Sequence, residues 1–76
     1  MSDYHRKALE LAREDHWNAA HNIIQEHADK LSCLIHAYLH LIEGDHGNAA
    51  YWYRRAGESM PDHTPEEDWH RLHERC

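Results

Sequence analysis

The sequence predicts an all-α fold of about five short helices, arranged as two tandem helical hairpins and a C-terminal capping helix. The stretch 31–43 is the most apolar run of the chain, and its apolar residues recur at three- and four-residue steps, the spacing of a helix face. The segment DHWNAA at 15–20 returns as DHGNAA at 45–50, which indicates that one hairpin follows another. Seventy-six residues are enough for one domain, which we assign to 1–76.

The first hairpin is predicted over about 3–28. Its first helix, 3–14, begins where Ser2 or Asp3 can accept hydrogen bonds from free backbone N–H groups. The second helix, 16–27, carries apolar and aromatic residues at helical spacing. These residues are Trp17, Ala20, Ile23, Ile24 and His27.

The second hairpin is predicted over about 29–58. Asp29 caps its first helix, which is apolar over more than one face and therefore typical of the centre of a bundle. This helix ends at Gly44, because glycine readily adopts the left-handed conformation of a helix C-terminus. Asp45 is placed to cap the next helix, 47–58.

A polar loop leads to the C-terminal helix, predicted over about 64–75. Thr64, Pro65 and Glu67 form a typical helix start, with a threonine cap, a proline in the first turn and a glutamate that completes a capping box. Trp69 and Leu72 lie on one side of this helix, so we expect it to fold back over the bundle.

Composition excludes several classes of function. A formal charge of −6 argues against a nucleic-acid partner, because phosphate contacts need clustered lysine and arginine. The sequence has no apolar run long enough for a membrane span and no apolar segment after its first residues, so we expect neither a membrane partner nor a secretory signal. Two cysteines make no disulfide framework, which favours a cytoplasmic protein with reduced thiols. Ten histidines are the unusual feature.

The second hairpin resembles the tetratricopeptide repeat, in its Gly44-Asp45 turn and its later small, aromatic and proline residues, Ala49, Tyr53, Ala56 and Pro61. The segment 50–57 is also similar to the Sel1-like repeat, and the chain resembles a small family of bacterial proteins with no assigned activity. The resemblance implies stacked helical hairpins that bind other proteins and have no catalytic residues.

One departure from the repeat concerns the positions that would line its ligand groove. They are all apolar here, namely Leu31, Leu34, Tyr38, Leu41 and Ile42. Either the hairpins pack differently, or the groove is filled. The C-terminal helix with Trp69 and Leu72 could fill it, and so could a second copy of the chain.

The central helix also carries candidate metal ligands, Cys33, His36 and His40. At about 100° per residue, their side chains fall within roughly 60° of one another around the helix. Histidines at i and i+4, with a thiolate nearby, suit zinc or nickel. His21, His70 or His73 could supply a fourth ligand. The alternative is that His36 and His40 are buried, hydrogen-bonded packing residues.

No enzymatic motif is present, neither a phosphate-binding glycine loop nor a nucleophile elbow nor a zinc-protease motif. The leading hypothesis is therefore a non-catalytic protein-interaction module that self-associates as a homodimer. Aromatic side chains beside arginine are enriched at interfaces. The predicted interface residues are Leu31, Leu34, Tyr38, Tyr51, Trp52 and Trp69. The alternative function is metal binding at the central helix, with zinc as the possible cofactor.

Overall fold

The computed structural model describes residues 3–62 and 64–76, which fold into five α-helices with no β-strand. Two helical hairpins are followed by a single helix, as the sequence predicts. In chain order the helices are α1 (Tyr4–Arg13), α2 (Trp17–Ile24), α3 (Lys30–Ile42), α4 (His46–Arg55) and α5 (Pro65–Glu74). The predicted all-α fold is confirmed. In this described part of the chain, no helix has the length and apolarity needed to cross a membrane.

The centre of the fold is α3. Nine consecutive residues, 32–40, are buried, which means that the helix is covered on every side. The other four helices all pack against it, α4 most extensively. This arrangement follows from the sequence, since a helix that is apolar around most of its circumference needs neighbours on several faces.

Side-chain caps begin three of the helices as predicted. Asp29 accepts a hydrogen bond from the Ser32 backbone N–H at 3.1 Å, and Asp45 accepts one from the Asn48 backbone N–H at 3.2 Å. Thr64 and Glu67 form the complete capping box at the start of α5. The expected cap at Asp3 is wrong, because its side chain makes no capping hydrogen bond and its backbone is already helical. The alternative cap, Ser2, lies outside the described residues.

The turns within the two hairpins differ. Gly44 ends the central helix with a left-handed φ of +86°, as expected for a C-terminal glycine. In the first hairpin the left-handed residue is Asp15, with a φ of +65°. Asp15 therefore shapes the turn, whereas its repeat counterpart Asp45 caps a helix. The two hairpins are related but not identical at this point.

Helix α5 packs against part of the apolar stripe of α3 that corresponds to the repeat groove: Leu34 and Tyr38 are buried, whereas Ile42 of the same stripe is 37% exposed. Trp69 and Leu72 are buried, and the Trp69 indole N–H donates to the Leu9 backbone oxygen of α1 at 2.8 Å. The Tyr53 hydroxyl donates to the buried Asp68 carboxylate, which joins α4 to α5. Of the two groove-filling possibilities raised by the sequence, the chain's own last helix is the one observed.

A second indole hydrogen bond joins the two hairpins. The Trp17 indole N–H, on α2, donates to the Leu39 backbone oxygen of α3 at 2.7 Å. Leu39 lies close to the C-terminus of α3, where carbonyl groups lack partners within the helix. This bond helps to fix the crossing of α2 over the C-terminal half of α3.

Candidate metal centre

Three histidines meet where α2 crosses α3. His36 and His40 lie one turn apart on α3, and His21 reaches them from α2. One ring nitrogen of each can be chosen so that the three atoms lie within 4.8 Å of one another. His36 and His40 are only 5% and 7% exposed, whereas His21 is half-buried. Two helices therefore bring three nitrogen donors together at the edge of the core.

Hydrogen bonds already orient two parts of this cluster. The Nε2 atoms of His21 and His36 lie 3.0 Å apart, so one ring donates a proton and the other accepts it. The Nδ1 of His40 lies 2.6 Å from Glu43 Oε2. When Nδ1 donates to that carboxylate, the Nε2 lone pair of His40 is left available, which is the usual way in which a protein orients a metal-binding histidine.

Two tryptophans form walls beside the histidines. The Trp17 ring stacks on His21 with centroids 4.8 Å apart, and the Trp52 ring stacks on His36 with centroids 3.8 Å apart. The Arg55 guanidinium carbon lies 4.7 Å from the Trp52 ring centre. The three imidazoles thus sit between indole rings, with one cation on the far end of the stack.

The surroundings favour the neutral imidazole. Burial, followed by the charges of His21, His40 and Arg55, lowers the pKa of His36 from 6.5 to about 4. Burial and the charge of His40 also lower the pKa of His21, although Glu43 acts in the opposite direction. Metal ions bind the unprotonated ring, so near neutral pH these two histidines are in the form that a metal requires.

The donor set fits a transition metal ion. Imidazole nitrogen suits zinc, copper, nickel and iron. In a tetrahedral zinc site two nitrogen ligands lie about 3.3 Å apart, given a zinc–nitrogen distance of about 2.0–2.1 Å. The 3.0 Å separation of the His21 and His36 nitrogens is close to that value. His36 Nδ1 is buried without a hydrogen-bond partner in the described residues. With Nε2 on the ion this atom carries the ring proton, so His36 lacks the protein acceptor that Glu43 provides for His40.

The structure brings together only part of the predicted metal set. His36 and His40 face one another, and His21 is the additional ligand that the sequence offered among three candidates. The thiol of Cys33 instead donates to the Ala28 backbone oxygen at 3.6 Å. It is not a member of the three-nitrogen cluster.

The other two candidates for a fourth ligand lie on α5 and have different neighbours. His70 Nε2 is 2.9 Å from a Glu66 carboxylate oxygen, and the His73 ring stacks on Trp69. Neither belongs to the group that surrounds His36.

The predicted interface residues divide into buried and accessible ones. Leu34, Tyr38 and Trp69 are buried within the chain itself, because α5 covers this side of α3, and they contribute to the core rather than to an open surface. Leu31 and Trp52 are partly buried. Tyr51 is the accessible one, at 47% exposure.

Comparisons with known proteins give no relative, since no protein family, curated protein or solved structure matches the chain. The resemblance to tetratricopeptide and Sel1-like repeats therefore stays a prediction from the residue pattern. The function has to be argued from the geometry of the molecule itself.

Proposed function

We propose that this protein binds a transition metal ion of the zinc, nickel or copper class at His21, His36 and His40. The observation that carries the proposal is the convergence of three histidine nitrogens from two helices, two of them on buried side chains. Glu43 supports the site from outside by orienting His40. The ligands come from α2 and α3, so a bound ion would also stabilise the contact between the two hairpins.

The chemistry of the cluster favours a metal over simple packing. Burial lowers the pKa of both rings, so both imidazoles are neutral and the one that donates carries its single ring proton on Nε2. A divalent ion would bind both Nε2 atoms once that proton moves to Nδ1 of the same ring. His40, whose ring centroid is 5.0 Å from that of His36, provides the third nitrogen, within 4.8 Å of the other two.

The proposal is tested by titrating the metal-free protein with Zn²⁺ and Ni²⁺ in competition with a chromophoric chelator. We expect one equivalent to bind with an affinity of about micromolar or tighter, and the paired change His36→Ala and His40→Ala to abolish binding. Since those side chains are buried, His21→Ala is the milder companion variant. Circular dichroism verifies that each variant is folded.

Two further variants make the test specific. Glu43→Gln keeps the shape of the side chain but weakens the orientation of His40, and loss of such a supporting carboxylate typically costs about tenfold or more in metal affinity. His70→Gln removes an exposed histidine on α5 and is the matched control, with no expected change. Equal weakening by Glu43→Gln and His70→Gln, or no binding at all, would refute a site at this cluster.

A second candidate is the protein-interaction module that the sequence favours. It rests on Tyr51, which is 47% exposed and has the Arg55 guanidinium carbon 5.9 Å from its ring centre. Exposed tyrosine beside arginine is a common composition of interface hot spots. Light scattering with zinc and with chelator tests it, since a homodimer in both conditions that Tyr51→Ser converts to monomer would support this function. A monomer in both conditions would count against self-association.

A further inference from the structure

The second helices of the two hairpins differ in what covers them. Helix α2 is held against α3, because the Trp17 indole donates to the Leu39 backbone oxygen and His21 contacts His36. In the part of the chain that the structure describes, α3 is the only helix whose backbone lies close to α4. The link from α4 to α5 is a hydrogen bond from the buried Tyr53 hydroxyl. The side of α4 that points away from the core therefore has no described helix packed on it.

The repeated sequence identifies the residues of this uncovered side. Segments 15–20 and 45–50 are offset by 30 residues, so each position on α2 has a counterpart on α4. The α2 positions that contact α3 or are fully buried include Trp17, Ala20, His21 and Ile24. Their counterparts, which we call the α4 outer face, are Gly47, Ala50, Tyr51 and Arg54. These four lie within about 100° of one another around the helix, and all are exposed or partly exposed.

Apolar surface and a groove mark the same side of the second hairpin. The exposed large hydrophobic residues of the described chain are Tyr51, at 47%, and Ile42, at 37%. The counterparts of both in the first hairpin are more buried. Ala50 and Arg54 line an open groove of about 520 Å³ that continues along residues 57–60. Since α3 packs on the first hairpin at the equivalent place, this groove is where a further helix fits.

The charges at the two ends of α4 make the outer face complementary to itself. Two exposed carboxylates, Glu43 and Asp45, precede the helix, and two exposed guanidinium groups, Arg54 and Arg55, end it. The ten residues of α4 separate these ends by about 15 Å. An antiparallel α4 from a second copy places opposite charges together at both ends, whereas a parallel one places like charges together. The charge pattern therefore favours a two-fold contact, the commonest symmetry of protein dimers.

We propose that the α4 outer face is a self-association surface, on which a second copy packs its own α4 antiparallel about a two-fold axis. The midpoint of α4 lies between Ala50 and Tyr51, so the axis passes beside these residues. Small residues at 47 and 50 let the two helices approach to about 8–10 Å. The proposal rests on the self-association raised above as the second candidate function, and it names the face and the partner.

The size of the face sets the expected affinity. One side of a ten-residue helix buries less than the roughly 800 Å² per partner of a standard complex. We therefore expect a weak dimer, with a dissociation constant of about 10–100 μM. Sedimentation equilibrium of the intact chain at protein concentrations up to about 1 mM covers this range. Chelator is present throughout, so that the result is independent of the metal site.

Two variants with matched controls test the face. Ala50→Lys places like charges beside the axis, and we expect it to raise the dissociation constant by about tenfold or more. Ala19→Lys makes the same change at an exposed alanine of α2 and should leave dimerisation unchanged. Arg54→Glu reverses a charge that faces Asp45 of the second copy, at two equivalent contacts, and should weaken the dimer about tenfold. Arg6→Glu, at an exposed position of α1, is its control. Circular dichroism verifies that each variant is folded.

Disulfide cross-linking tests the antiparallel orientation. The background variant Cys76→Ser removes the more accessible of the two native thiols. Across an antiparallel pair, residues 50 of the two copies are offset by about 1.5 Å along the axis and residues 47 by about 10 Å. A disulfide spans Cα atoms up to about 7 Å apart. On mild oxidation Ala50→Cys should therefore form a covalent dimer, and Gly47→Cys should not.

The outcomes separate this proposal from self-association in general. A dimer that Ala50→Lys and Arg54→Glu leave intact would refute the α4 outer face and leave self-association standing through another surface. Equal cross-linking at positions 47 and 50 would refute the antiparallel arrangement. A monomer at every concentration would refute both self-association and a second copy as the occupant of this face.

Discussion

Acidification should destabilise the metal-free protein through His36. The pKa of this group is about 4 in the folded chain against an ordinary value of 6.5, chiefly because the ring is buried. When folding lowers the pKa of a histidine, the free energy of unfolding has its full value above pH 6.5. It decreases as the pH falls from 6.5 towards 4, because the unfolded chain takes up the proton before the folded chain does. Between pH 7 and about pH 4.5 the expected loss from this group is about 2 kcal/mol.

The assay is urea unfolding in the presence of chelator, followed by circular dichroism at several pH values. The variant His36→Phe keeps a ring to stack on Trp52 but cannot be protonated. We compare the change in unfolding free energy with pH, not its absolute value, so packing differences cancel. The wild-type protein should lose about 2 kcal/mol more than the variant over this range.

The control variant His46→Gln removes an exposed histidine at the start of α4. It should keep the wild-type dependence on pH. An equal pH dependence in the wild-type protein and His36→Phe would refute the reasoning. So would a His36 ring resonance that titrates by NMR with a midpoint at or above 6.5.

Two further predictions concern bonds that hold the helices together, and thermal or urea unfolding checks both. Tyr53→Phe should lower the free energy of unfolding by about 2 kcal/mol, because it removes a buried hydrogen bond to the Asp68 carboxylate. Tyr51→Phe, at an exposed ring, should be nearly neutral, and equal losses in the two variants would contradict this prediction. Asp45→Ala should lower the free energy of unfolding by roughly 1 kcal/mol, through loss of a helix cap. Asp29→Ala should lower it by more, because Asp29 also accepts hydrogen bonds from side chains of α1. Equal losses would show that those contacts add nothing.

Most of the helical architecture was predictable because its determinants are local. The apolar period of α3, the caps at Asp29, Asp45 and Thr64, and the glycine at 44 are each set by residues within a few positions of one another. The repeated segment does not extend to an identical turn, and Asp15 differs from its counterpart Asp45. The structure has a left-handed aspartate there, because the first hairpin has no glycine at the position of Gly44.

The composition of the histidine cluster could be predicted only in part. Angular spacing around α3 placed Cys33 near His36 and His40, but it ignored distance along the axis. With a rise of about 1.5 Å per residue, Cys33 lies about 10 Å from His40 along the helix. His21 depends on how α2 crosses α3, which the Trp17 bond to the Leu39 carbonyl helps to fix. No pattern in the sequence specifies that crossing.

The two indole hydrogen bonds have a consequence for how the helices are ordered in space. Leu9 and Leu39 occupy equivalent positions in the two hairpins, and each backbone oxygen accepts from a tryptophan on a neighbouring helix. Helix α5 therefore packs beside α1 in the way that α2 packs beside α3. The last helix of the chain thus occupies the position that the second helix of a preceding hairpin would occupy. In an open solenoid, further hairpins can stack at either end. Here that face of α1 is occupied, so the array could grow in that direction only by displacing α5.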